Sequence, residues 1–332
     1  MPVADPPQRF RWLVAACAAA TVILTWRLWQ LRDSPPMLPL LSLPRFDLEL
    51  PLVGAIAVSL RWPLAGALLY AHVLTYGILI DQTRIQPQMI SFGWLLLGSS
   101  TNATARLTAR VALISMWGWA GLNKLASYDF LTQTGPSLLA GIWPAAPQII
   151  DSAAGYATGG VEVALALLLL VPRTRVLGAV IALCWHAFIP VVLSRAPDPN
   201  IAVWPWNAAL AASGFALFVP WKRSLAEDFS VAPVFARALI VILLVLPAGF
   251  HVGVVDAYVA HDLYTSNTPL TSADDETRAM LRVPLPPEQR LIEQRFQLTC
   301  REGDTLLVLD RRWWFRMRGT AGRRLECRPR LE

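Results

Sequence analysis

The stretch WGWAGLNKLASYDF, residues 117–130, ends a long apolar run on an Asn–Lys pair, and the chain holds only one lysine besides Lys124, Lys222. An amine carried into a low-dielectric medium loses its preference for the charged form and can then serve as a general base. Other polar groups recur inside equally apolar runs: Glu162 in GGVEVALALLLL, His186 in LCWHAFIP and Asn207 in VWPWNAAL. The turn DQTRIQPQ adds Asp81, Arg84 and Gln86, and His72 and His251 are further ionisable candidates. Charges at membrane depth are costly and normally face partners. On this pattern Lys124, Glu162 and His186 form the candidate catalytic set. Asn207, Trp204, Asp81, Arg84 and Gln86 are candidates for holding a substrate.

Each residue also has a plainer reading. Lys124 can snorkel from a helix end to the interface, and Glu162 can be only its counter-ion. His186 sits four residues before Pro190, whose ring displaces the carbonyl of residue 186, so imidazole and freed carbonyl can satisfy each other. Trp204 and Trp206 suit an interfacial aromatic belt. Against snorkelling, Gly118 and Gly121 let a neighbouring helix approach the same face, which would bury the ammonium.

The elements that must position these groups follow from composition. The chain has 332 residues, 55% hydrophobic and 16% charged, with mean hydropathy +0.45. Soluble domains carry nearer a quarter charged residues. The expectation is an all-α polytopic membrane protein over residues 1–253 with a small α+β tail over residues 254–332. A span needs about 20 apolar residues. Nine stretches qualify: 10–31, 48–60, 62–80, 88–101, 105–125, 153–171, 175–194, 203–219 and 234–253, of which 48–60 and 88–101 are short enough to be tilted or re-entrant. RFRWLVAACAAATVILTW runs into Arg27 and Trp29 without a cleavage site and reads as a retained first span. With the N-terminus cytoplasmic, ten Lys/Arg fall in cytoplasmic loops against five in outer loops. That bias places the protein in the inner (plasma) membrane with its tail extracytoplasmic.

Residues 1–253 carry 16 basic and 11 acidic groups, and the tail 13 and 12. No Lys/Arg run marks a nucleic-acid partner. In the tail, SADDETRAMLRV opens on a capping box and PPEQRLIEQRF suggests a second helix. FQLTC, TLLVLD and WWFRMR read as strands, the first two joined across REGD. Cys300 and Cys327 fall in the tail, where an oxidising compartment favours a disulfide, whereas Cys17 and Cys184 lie in spans. No HExxH, CxxC, GxSxG or phosphate loop appears, and no metal site is expected.

AGLNKL followed by Phe130 resembles the lysine segment of the vitamin K-dependent γ-carboxylase and its bacterial relatives, the horizontally transferred transmembrane family. The resemblance implies that Lys124 deprotonates a quinone-type hydroquinone. WHAFIP followed by VWPWN is also similar. Residues 105–219 resemble the four-helix DoxX and MauE families, which have G-x-x-K-L at the end of the first helix and a Glu in the second. Those families imply a DoxX-like core, a quinone-linked or disulfide redox system and a membrane redox partner protein. The tail is too short to supply the carboxylase's peptide-binding domain, so peptide carboxylation is not implied.

Three classes of function therefore stand open. One is a membrane enzyme acting on a quinol, isoprenoid or other lipid-soluble small molecule, with Lys124 as base, Glu162 tuning it, and His186 and Asn207 holding the ring. The second is a non-catalytic accessory or assembly subunit whose polar groups only hold helices together. A small-solute transporter is the third, although the two halves show no internal symmetry.

Overall fold

A computed structural model describes residues 8–195, 200–263, 265, 267, 278–310, 312, 317 and 322–327. The helices α1 (Gln8–Leu24), α2 (Glu49–Arg61), α3 (Pro63–Ile80), α4 (Pro87–Gly98) and α5 (Ala103–Leu125) come first. A short helix, α6 (Gly135–Ala140), precedes α7 (Gln148–Leu170) and α8 (Arg175–Leu193). Next come α9 (Trp204–Ser213), extended by a wider turn over Gly214–Phe218, then α10 (Leu225–Val231) and α11 (Val234–Val245). The tail contributes α12 (Gln289–Thr299) and the antiparallel strands β1 (Thr305–Leu309) and β2 (Gly322–Glu326).

Five helical segments are long and apolar enough to cross a membrane: Pro63–Ile80, Gln148–Leu170, Pro172–Leu193, Ile201–Phe218 and Val234–Val252. Their outward faces are apolar. On α8, Val176, Leu177, Val180, Leu183 and Phe188 are exposed. In water such a continuous patch would drive association; against lipid tails it needs no cover. The protein is thus a helical membrane protein with a small two-stranded C-terminal sheet.

Helix α5 is the centre of the bundle, with α7 as its most extensive neighbour and α4 and α11 also packed on it. Of its 23 residues 17 are buried, which explains how it tolerates Arg106, Arg110 and Lys124. The two arginines lie one turn apart, and Arg110 stands beside Trp221. Arg110 donates to the Leu217 carbonyl at 2.7 Å, and its guanidinium lies 5.0 Å from the Trp221 ring centroid. Arg175 lies 3.8 Å from the same ring centroid and donates to the carbonyls of Leu169, Leu170, Trp221 and Arg223. Charge is satisfied there by backbone oxygens and an aromatic face, chemistry suited to Arg.

Two expectations for the tail need correction. FQLTC is not a strand, because Phe296 to Thr299 complete α12. Leu291, Ile292 and Arg295 are buried with Phe296 partly so, a helical spacing that outweighs the short alternation. β1 pairs instead with GRRLE, Thr305 opposite Glu326 and Leu309 opposite Gly322. Most of WWFRMR and the capping box of SADDETRAMLRV lie outside the described residues. The Cys300–Cys327 disulfide is present, with Cα atoms 5.9 Å apart and a separation of 27 residues. A loop of that length contributes about 3–4 kcal/mol in chain-entropy accounts. Cys17 and Cys184 are free.

Candidate functional site

Lys124 sits in the last turn of α5, where a cation complements unpaired carbonyls. Its Nζ lies 2.7 Å from Glu162 Oε2 and 3.4 Å from the Ala120 carbonyl. The residues are 5% and 7% exposed, so the ammonium does not snorkel. Glycine makes this possible. A Cβ on Gly121 would meet the Gly159 carbonyl oxygen at 2.5 Å, and one on Gly159 would meet Leu125 at 2.8 Å. Backbone approach of α5 and α7 brings two short-range charges together inside the bundle.

His186 is also buried inside the bundle, and its imidazole hydrogen-bonds to two neighbouring helices and not to its own. Trp117 Nε1 donates to His186 Nε2 at 2.8 Å. An indole N–H can only donate, so Nε2 accepts and Nδ1 carries the proton. That proton goes to Asn207 Oδ1 at 2.8 Å, and the amide is oriented by Asn207 Nδ2 donating to the Val203 carbonyl at 2.9 Å. The imidazole is held as one neutral tautomer with both nitrogens occupied. Four helices, α5, α7, α8 and α9, thereby supply one polar layer.

The layer borders a cavity of about 570 Å³, within the size range of small-molecule sites. Lys124, Glu162, His186 and Asn207 belong to its wall, together with Thr158 and otherwise almost wholly apolar side chains such as Met116, Phe130, Leu139, Ile149, Phe188 and Ile189. Lys124 lies 5.9 Å from the Phe130 ring centroid. Among the described residues, no acceptor is recorded for the third ammonium N–H and no donor for Glu162 Oε1. Their free valences belong to a pair that lines the cavity.

The remaining candidates are elsewhere. Asp81, Arg84 and Gln86 are fully buried but are not in the cavity wall. Asp81 accepts from Arg32 at 2.5 Å and from Leu38 N at 3.1 Å. Arg84 donates to the Leu28 and Gln30 carbonyls, and Gln86 to the Pro284 carbonyl at 3.0 Å. Together they brace the segment before α2 and the tail against the α3–α4 turn. Trp204 is 41% exposed and outside the wall, where Trp206 stands instead. His72 is exposed, and His251 is half-buried against the Phe250 ring at 5.4 Å.

Trp117 escaped the sequence reading, although it is seven residues before Lys124 and so on the same helix face. The wall formed by residues 130–142 also escaped it, because these residues fall between the expected spans 105–125 and 153–171. Among the described residues no group of three or more His, Cys, Asp or Glu could hold a metal ion. No family model, curated protein or solved structure matches the chain.

Proposed function

We propose that the chain spans the inner (plasma) membrane through about nine helices and binds a lipid-soluble molecule with a hydroxyl head. The Lys124–Glu162 pair accepts that hydroxyl's proton and the ammonium holds the oxyanion left behind. A single observation carries this reading: a buried ion pair with one donor and one acceptor to spare closes the polar end of an apolar cavity. A hydroxyl both donates and accepts, so it matches both free valences. Quinols and other aromatic alcohols fit, as does a redox role of the kind seen in the families the chain resembles. The wall between α7 and α8 includes the exposed Ile149, Ile150 and Phe188, which favours entry sideways from lipid.

The accessory-subunit reading draws support from His186. With both nitrogens occupied it is a joint between α5, α8 and α9, and a joint needs no substrate.

Equilibrium binding of dodecylphenol and dodecylbenzene to the purified protein separates the two readings. Hydrogen bonds to charged groups contribute about 1.5–3 kcal/mol each, so the phenol should bind about ten- to a hundredfold more tightly. Equal binding would remove the hydroxyl-head reading. Orientation has its own test. A reporter active only outside the cytoplasm, fused after Glu332, should be active; an inactive one with an active cytoplasmic counterpart would reverse the assignment.

A further inference from the structure

The tail does not stand apart from the cavity. Leu263 belongs to the cavity wall. The segment carrying it is fixed to the end of α5 by Asn123 Nδ2 donating to the Ala260 carbonyl at 2.9 Å. Asn267 Nδ2 donates back to the Asn123 carbonyl at 3.2 Å. Asn123 is the immediate neighbour of Lys124. Between these anchors lies Asp262, 2% exposed, whose carboxylate accepts from Asn267 Nδ2 at 3.2 Å and from Thr265 Oγ1 at 2.7 Å. Both donors are neutral, and no ion pair to Asp262 is recorded among the described residues.

We propose that residues 257–263 roof the cavity, pinned by Asn267, and that Asp262 is a second carboxylate behind that roof, storing the proton that the Lys124–Glu162 pair takes from a hydroxyl head. This rests on the proton-accepting reading of that pair. The balance is simple. The ligand O–H bond breaks, the oxyanion stays beside the Lys124 ammonium, and the proton ends on Asp262 as a carboxylic acid; no electrons are transferred. Without Asp262, the proton would have to remain on Glu162 and dissolve the ion pair.

The electrostatics agree. Burial raises the Asp262 carboxyl to about 6, against the opposing pull of its two hydrogen bonds and of the positive charges of Lys124 and Arg312. Those are the charged groups that act on it, from α5 and from the tail. Its neighbour His261 is lowered to about 4 by burial and is neutral at physiological pH. Asp262 is therefore ionised at neutrality yet ready to take a proton.

Difference infrared spectroscopy of the full-length protein between about pH 4 and 8 tests this. A carboxylic-acid band should vanish with a midpoint near 6. It should be absent in Asp262→Asn, persist in Glu162→Gln, and move to higher pH in Lys124→Met, which removes a nearby positive charge. Adding dodecylphenol above the midpoint should restore the band. A band with its midpoint near 6 that survives Asp262→Asn, that ignores Lys124→Met, or that fails to return although dodecylphenol binds would overturn the proposal; the buried Glu288 carboxyl, raised to about 8, is told apart by its higher midpoint. If dodecylphenol does not bind at all, the hydroxyl-head reading fails first, while the Lys124→Met shift still decides whether Asp262 is coupled to the site. Should Asp262→Asn not fold, carboxyl-labelled aspartate in the unaltered protein identifies the band by its isotope shift.

Discussion

Lys124→Met destabilises the protein by about 3–5 kcal/mol, because it leaves the Glu162 carboxylate buried without its counter-ion. Glu162→Leu costs a similar amount by stranding the ammonium. The double variant should cost much less than the sum, since replacing both charges by apolar groups of similar volume is often neutral. Unfolding of the four proteins in mixed micelles gives the coupling directly. Single-variant losses below about 1 kcal/mol would mean that water reaches the pair and that the cavity is not sealed. The double variant then becomes the informative protein: folded, but without donor or acceptor for a hydroxyl, it should bind dodecylphenol no better than dodecylbenzene. Lys124→Arg divides the labour further. Arginine keeps the charge but does not release its proton in proteins. Retained proton uptake in that variant is expected if Glu162 is the acceptor; its loss would mean that Lys124 enters as a neutral amine and not as the ammonium.

Gly121→Ala is the second large effect, and it acts through the backbone. The new methyl would lie 2.5 Å from the Gly159 carbonyl oxygen and 2.8 Å from Val163 N, and no side-chain rotation relieves contacts with backbone. Helices α5 and α7 must separate. Overpacking of this kind costs about 1–3 kcal/mol, and the separation also stretches the Lys124–Glu162 pair three residues away. Gly118→Ala is the control, because its Cβ would meet only the Ala166 methyl at an ordinary 3.7 Å. Phenol binding should fall at least tenfold in Gly121→Ala and stay within about twofold in Gly118→Ala. Equal behaviour of the two variants would show that the close helix crossing does not set the site.

What the sequence made legible was mostly what one helix dictates by itself. The apolar runs at 105–125 and 175–194 correspond to α5 and α8 within two residues. Glycine on the Lys124 face was enough to foretell its burial, although it is at Gly121 and not at Gly118 that the backbone of α7 comes close. The Lys–Glu pairing was foreseeable because two opposite charges in apolar runs have few other places to go. Depth was misleading for Asp81, Arg84 and Gln86. The expected topology puts them at the same membrane end as Lys124, but Arg32, the Leu38 amide and Pro284 claim them first. Nothing in one dimension distinguishes a brace from a ligand. The same limit hid the roof, since Asn123 and Asn267 are 144 residues apart.

The brace has a consequence for when the protein becomes usable. Gln294 donates to the Pro39 carbonyl across 255 residues, and Leu38 packs with Leu285 and Leu291. The segment before α2 therefore meets α3 and the α3–α4 turn early, through Arg32 and the Leu38 amide on Asp81, but gains these tail contacts only after the whole bundle has been made. During synthesis the polar layer forms once α9 is inserted, but its cover arrives only with the tail. A nascent chain stalled between those events would present an open, charged cleft to whatever lipid or water is nearest, so the interval before release is when this protein is most exposed to capture by quality control.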